Sequence, residues 1–159
     1  MLVSNAGIAD PADAFPSEAN IDAVRRTFGT NFFGTLAVTQ AMLPLLRKSD
    51  SARIVNMSSG LGSLTHNSNP EWEFAHVKKL GYNASKASVN MLTVQLAAEL
   101  KDTGIKVNSA DPGFTATELN GRRGYQSVSE GAVAAVRLAT LPDDGPTGGF
   151  FSANEGEPW

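Results

Sequence analysis

The chain has 159 residues, 42% hydrophobic and 18% charged, enough to bury one core without covalent staples. It contains no cysteine, which excludes disulfides, thiolate-held iron–sulfur clusters, cysteine-based zinc sites and a cysteine nucleophile. Thirteen Lys and Arg against sixteen Asp and Glu leave a net charge of −3, which argues against a nucleic-acid binder that works by neutralising phosphates.

Met1-Leu2-Val3-Ser4-Asn5 lacks the basic region followed by an apolar one that marks a secretion signal, so a cytoplasmic protein is expected. Leu2-Val3-Ser4 reads instead as a short strand running into the turn Asn5-Ala6-Gly7. A loop from Ile8 to Pro16 leads to Ser17, the expected N-cap of a helix from Glu18 to about Arg47. Ile21, Val24, Phe28, Phe32, Leu36, Met42 and Leu46 supply its buried faces. Gly29 and Gly34 bracket Asn31 and predict a kink or local irregularity at its centre.

Arg53 to Met57 reads as the next strand and ends in Ser58-Ser59-Gly60-Leu61-Gly62. Ser63 to Lys79 has no clean periodicity and carries Asn67, Asn69 and Pro70; it is read as an excursion with one helical turn. A second long helix is expected from Tyr82 to Asp102, closed by Gly104. Ile105 to Asn108 is a third strand, followed by the turn Asp111-Pro112-Gly113. Ser129 is the expected cap of a helix from Glu130 to Ala139. The apolar stretch Ala132 to Leu141 is cut by Arg137 and falls short of the roughly 18 residues of a membrane span. Gly148 to Ser152 closes with a last short strand. The alternation of strands and helices favours α/β layers, and no repeat or linker divides residues 1–159, so one domain is expected.

Tyr82 and Lys86 stand at i and i+4, so a helix presents the phenol and the ammonium on one face. A free phenol titrates at about 10, too high for proton exchange near neutrality, and a neighbouring cation lowers that value. Such a pair suits general acid–base work, although Tyr and Lys four apart also occur on ordinary solvated faces. Ser59 lies at a strand end, where open α/β sheets place ligands; its plain alternative is a turn serine. Asn31 stands in mid-helix, a poor place for Asn unless its side chain has a purpose. Asn5-Ala6-Gly7 and Pro112-Gly113-Phe114-Thr115-Ala116-Thr117 each follow a strand and each has an ordinary reading as a turn.

Taken together and in this order, these segments resemble the short-chain dehydrogenase/reductase family over essentially the whole chain. Asn5-Ala6-Gly7 is similar to the family's Asn-Asn-Ala-Gly turn, with Ser4 in place of the first Asn. Thr30-Asn31-Phe32-Phe33-Gly34 resembles the segment bearing its active-site Asn. Ser59, with Gly62 three positions later, matches the catalytic Ser, and Tyr82 and Lys86 match the Tyr-x-x-x-Lys pair. Pro112, Gly113, Thr115 and Thr117 fall in the segment that contacts the nicotinamide end.

The resemblance implies a Rossmann-like three-layer αβα fold with a truncated parallel sheet of about four strands. It implies hydride transfer linked to NAD(H) or NADP(H), reducing a carbonyl or oxidising an alcohol in a small-molecule substrate. Tyr82 would exchange the proton, Lys86 would lower its pKa and hold the nicotinamide ribose, and Ser59 would steady the substrate oxygen. Asn31 would hold a water relaying protons to Lys86. Asn5, Ala6, Gly7, Tyr82, Lys86, Pro112, Gly113, Thr115 and Thr117 form the implied cofactor contacts. A homo-oligomer is compatible with the sequence.

Two departures stand out. The stretch between Ser59 and Tyr82 is longer than is usual in the family, as in its carbonyl-reductase-like branch. It brings Trp72, Phe74 and His76, as a substrate wall, as a cover over the helix face that other members use for dimerisation, or as a packed surface loop. His66 and His76 have no partner at metal-ligand spacing, so no metal is expected, and Arg122-Arg123 reads as a solvated pair. The larger departure is that no Gly-x-x-x-Gly-x-Gly turn precedes Asn5. At about 30 residues per strand–helix–strand unit, roughly 80–90 residues of a family member would precede this chain, including its pyrophosphate cradle. Weak NAD(P)H binding is therefore expected of the chain alone. The alternative is a catalytically inactive fragment that pairs with a homologous chain through the edge of Leu2–Ser4.

Overall fold

Four strands, β1 (Leu2–Ser4), β2 (Arg53–Met57), β3 (Lys106–Ala110) and β4 (Phe150–Phe151), lie in that order and all parallel in the computed structural model, which describes residues 1–159. Val3 sits opposite Val55, Val55 opposite Asn108, and Ser109 opposite Phe150. Parallel neighbours need crossovers, and helices supply them on both faces. Side chains alternate along β2, so Ile54 and Val55 enter different cores. On one face, Ile54 and Val107 pack with Leu46 of α2 (Thr35–Leu46) and with Leu96 and Leu100 at the end of α4 (Leu80–Glu99). On the other, Val55 and Ala110 pack with Ala134 and Leu138 of α6 (Val133–Ala139). The result is the expected three-layer α/β arrangement. β1 pairs with β2 alone, leaving its other edge without a strand.

The first long helix is three pieces. α1 (Ile21–Phe28) is followed by a π-helical segment, Gly29–Gly34, and then by α2. The irregularity expected around Asn31 is thus a widened turn that directs Asn31 inward, where it is 1% exposed. The start differs from expectation: Asn20, not Ser17, caps α1, its Oδ1 accepting from the N–H groups of Asp22 and Ala23, both at 3.0 Å. Residues 15–18 are already used in a turn, closed by Glu18 N–H to the Phe15 carbonyl.

The excursion contains one short helix, α3 (Leu64–Ser68), as expected. α4 begins two residues earlier than expected and ends at Glu99, ahead of Asp102; β3 runs on to Ala110 because the sheet continues pairing it with β2 and β4. The expected helix from Glu130 is two pieces, α5 (Val128–Gly131) and α6. Its cap is Ser127 rather than Ser129, since Ser127 and Glu130 bond reciprocally. No helix is long and apolar enough to cross a membrane.

α4 positions the site. Its buried stripe runs Tyr82, Lys86, Val89, Thr93, Leu96, with the four-and-three spacing of a helix face. Thr93 Oγ accepts from Asn56 Nδ2 at 2.9 Å and from Ser109 Oγ at 2.8 Å, so polar pins from β2 and β3 fix the rotation of the helix against the sheet. The same stripe that packs on the strands therefore carries Lys86 and Tyr82 to the ends of the strands.

Candidate active site

Ser59 leaves β2 in extended conformation and caps the tight turn Gly60–Gly62, its Oγ accepting from Leu61 N–H at 3.2 Å. A Cβ on Gly62 would lie 2.8 Å from the Lys86 backbone, so this turn rests directly on α4. Close approach of turn and helix brings Ser59 beside Tyr82, near enough for its hydroxyl to favour the ionised phenol.

Lys86 is 5% exposed; its Nζ donates to the Met57 carbonyl at 2.8 Å and lies 5.7 Å from the centre of the Tyr82 ring. Burial drives the Lys86 pKa down to about 8, partly opposed by the negative charge of Asp111. Burial also pushes the Tyr82 phenol up to about 12; the Ser59 hydroxyl pulls it down and the Asp111 charge adds to the rise. The sequence-based expectation that Lys86 lowers the phenol below its ordinary value is thus corrected: burial sets the direction of the shift. At neutral pH Tyr82 holds its proton, which is the form that donates.

These shifts make a pH prediction. Between pH 8 and 10.5 the unfolded chain carries the Lys86 proton that the folded chain has released, so folding stability rises with pH across that window. From pH 10 the phenol works in the opposite sense and beyond 10.5 stability falls, because the unfolded phenol ionises while folded Tyr82 retains its proton to about 12. Each unit of separation corresponds to about 1.4 kcal/mol. Urea unfolding at stepped pH should show the rise in the parent and lose it in Lys86→Met.

Asn31 is committed to structure. Its Oδ1 accepts from Ile8 N–H at 2.8 Å, and its Nδ2 donates to the Ile8 carbonyl at 3.0 Å and to Ser85 Oγ at 2.9 Å. Gly7 stands beside both Asn31 and Lys86: a Cβ there would lie 3.4 Å from Lys86 Nζ and 3.6 Å from Asn31 Oδ1. Asn5 and Ala6 are exposed just before it. The missing side chain leaves backbone-lined space next to a buried ammonium, which fits a cofactor held at this edge.

On the far side, Gly113 adopts a left-handed turn (φ 65°), with Pro112 accepting from Thr115 Oγ at 2.9 Å. Thr117 starts a short turn of helix closed reciprocally with Asn120. Arg122 pairs with Glu118 and Arg123 donates to the Asn120 carbonyl.

Sequence reading passed over Asp111 as part of a turn. Its carboxylate accepts from Gly113 N–H at 3.0 Å and lies against Gly60, where a Cβ would come within 3.2 Å of Oδ2, joining the loops after β2 and β3. The signal available was a carboxylate at a strand end. A row of rings borders it: His66 stacks on Trp72 at 4.8 Å, and Trp72, Phe74, Phe114 and Tyr125 follow edge-to-face at 5.5–5.8 Å. His66 also pairs with Glu157 at 3.0 Å. Trp72 and Phe74 thus pack toward the site, whereas His76 is exposed.

Comparison with known proteins shows the family. The family model for short chain dehydrogenase matches residues 1–127, and the chain belongs to that family. It is 39% identical over 144 residues to the short-chain dehydrogenase anuI of Penicillium roqueforti, covering 88% of this chain and 56% of that protein. It is 34% identical over 158 residues to salutaridine reductase of Papaver bracteatum, covering 79% and 50%. Among solved structures, the carbonyl reductase Sniffer of D. melanogaster superposes with a TM-score of 0.81 at 26% identity, covering 98% of this chain and 64% of that one. NADPH-bound carbonyl reductase from chicken fatty liver gives 0.77 at 25% identity, covering 99% and 64%. The chain spans about half the length of the curated relatives it matches.

Proposed function

We propose that this chain carries the proton-handling half of an NAD(P)-linked carbonyl reduction. The observation that carries the reading is the Ser59–Tyr82 hydroxyl pair, set at the strand ends beside the buried Lys86. Both hydroxyls can turn toward one substrate oxygen. Tyr82 donates its proton to that oxygen in reduction and recovers it in oxidation. Ser59, anchored by its turn, donates to the same oxygen and stabilises the charge that develops there. Exclusion of water strengthens both contacts.

A bound nicotinamide cofactor supplies the hydride. Asn5, Ala6 and Gly7 on one side and Pro112, Gly113, Thr115 and Thr117 on the other are the groups proposed to hold it, with Lys86 and Tyr82 at its ribose. The chicken-liver relative's NADPH supports a nicotinamide cofactor; NAD(H) and NADP(H) both fit this reading. A relay water at Asn31 would use the Oδ1 capacity left beside Gly7 and Lys86. The substrate side is the ring row from Trp72 to Tyr125, which favours carbonyl compounds with a flat apolar body over small aliphatic ones.

Ser59→Ala tests the site. Assayed at the length of its relatives, with a family dinucleotide-binding segment ahead of Met1, the variant should lose about 10²-fold in kcat while cofactor affinity stays level. Calorimetry and steady-state kinetics read the two separately; equal loss in both would contradict the assignment. A second reading, a binding module that pairs with a homologous chain, draws on the unpaired edge of β1. It requires a concentration-dependent complex that a β1 variant such as Val3→Pro abolishes.

A further inference from the structure

The peptide of Tyr82 is gripped at both ends. Its N–H donates to Asp13 Oδ2 at 2.8 Å, and the preceding Gly81 N–H donates to Asp13 Oδ1 at 2.9 Å. Its carbonyl accepts from Ser85 Oγ at 2.8 Å, and Ser85 Oγ in turn accepts from Asn31 Nδ2. Both routes lead to one segment, the loop from Ile8 to Ala14 after β1. Asn31 is bonded to both backbone groups of Ile8, and Leu80 N–H donates to the Ala14 carbonyl at 3.1 Å. The loop is itself braced. Asp10 accepts from Arg26 Nε at 2.8 Å and from Ala12 N–H at 2.9 Å, and Asp13 N–H donates to the Asp10 carbonyl at 3.0 Å.

The arrangement answers a local deficit. The residue at the N-cap of α4 is Lys79, whose side chain makes no capping bond. An ordinary cap side chain satisfies the N–H groups of the second and third helical residues, here Gly81 and Tyr82. Asp13 performs that service from 68 and 69 positions away, and adds negative charge at the positive end of the helix. Gly81 makes room for it: a Cβ there would meet Asp13 Oδ2 and the Val24 backbone, both at 3.2 Å.

We propose that Asp13 is a positioning residue for Tyr82: its carboxylate caps α4 at the Tyr82 peptide and so sets where the phenol stands against Ser59. The loop that carries Asp13 continues from Asn5-Ala6-Gly7, so one brace joins the proposed cofactor edge to the proton donor. The functional consequence rests on the reading of Tyr82 given above; the geometry does not, and it is tested without turnover.

The chain has two tyrosines, so Tyr125→Phe leaves Tyr82 as the sole phenol, observable by its 13Cζ resonance and by phenolate absorbance. The groups facing that phenol are Ser59, Lys86 and Asp111, and all are kept in every variant. In the parent, Tyr82 should titrate near 12. Asp13→Ala frees the first turn, admits water and should move the midpoint down by about one unit toward the ordinary value, with a changed 13Cζ shift at neutral pH. Asp13→Asn keeps one acceptor and should fall between. Gly81→Ala keeps the Asp13 charge yet crowds the carboxylate, and should move Tyr82 in the same direction; this arm also serves if Asp13→Ala does not fold. A Tyr82 resonance and midpoint unchanged in Gly81→Ala and Asp13→Asn, with only thermal stability lowered, would overturn the proposal and leave Asp13 a plain helix cap. Catalytic failure of the Tyr82 reading would show instead as an active Tyr82→Phe enzyme, with these spectroscopic shifts intact.

Discussion

Tyr82→Phe, in a protein of the family's full length, is expected to lower kcat by about 10²–10⁴-fold while the fold persists. The substitution removes one oxygen and keeps the ring. The ring is what packs: Tyr82 is 9% exposed on the buried stripe of α4, so the phenylalanine fills the same space. What disappears is the hydroxyl that meets Ser59 and holds its proton up to about 12. Ser59 beside it is an aliphatic alcohol, far too weak an acid to replace it, while Lys86 Nζ is turned to the Met57 carbonyl and Asp111 to the Gly113 N–H. Unfolding in urea should be nearly unchanged, and thermal melting and kcat together separate the lost proton from lost structure.

Gly62→Val is expected to damage the site from the opposite direction. The first atom of any side chain at Gly62 would lie 2.8 Å from the Lys86 carbonyl carbon and Cβ, and 3.0 Å from the Ala87 nitrogen. These are mostly backbone atoms of a helix pinned to the sheet through Thr93, so they cannot step aside. The turn must lift, and Ser59 leaves Tyr82 with it. Overpacking of this kind costs about 1–3 kcal/mol, and a branched side chain against backbone belongs at the upper end. Gly62→Ala should be milder in the same sense. Urea denaturation reads the loss; a Gly62→Val protein as stable as the parent would show that the turn does not rest on α4.

Much of this was legible in the sequence, for identifiable reasons. Placements that follow from local spacing were readable. Tyr82 and Lys86 share a helix face, Ser59 ends a strand, and two glycines around Asn31 announce a break in a helix that proves to be a π-helical turn. The fold class followed from alternation of β-rich and helical segments. Helix starts were less readable, since Ser17 and Ser129 are as good caps in isolation as Asn20 and Ser127; tertiary turns and a reciprocal Glu130 contact decide between them.

Long-range groups were not legible. Asp13 caps a helix far along the chain, Ser85 links Asn31 to the Tyr82 carbonyl, and Asp111 bridges two loops; each depends on a partner that spacing cannot reveal. The phenol's titration was misjudged for the same reason. A Tyr–Lys pair suggests a lowered pKa, but burial depends on what surrounds the pair, and here it wins.

The most direct measurement follows the hydride and its dependence on the Tyr82 hydroxyl. The chain, joined to a family dinucleotide-binding segment, is given NADPH or NADH deuterated at the transferring carbon, with a panel of flat apolar ketones. The account predicts an alcohol with deuterium on its carbinol carbon, formed by the parent and nearly abolished in Tyr82→Phe. A folded parent that yields no labelled alcohol with either cofactor, or a Tyr82→Phe protein that yields it at the parent's rate, would contradict it.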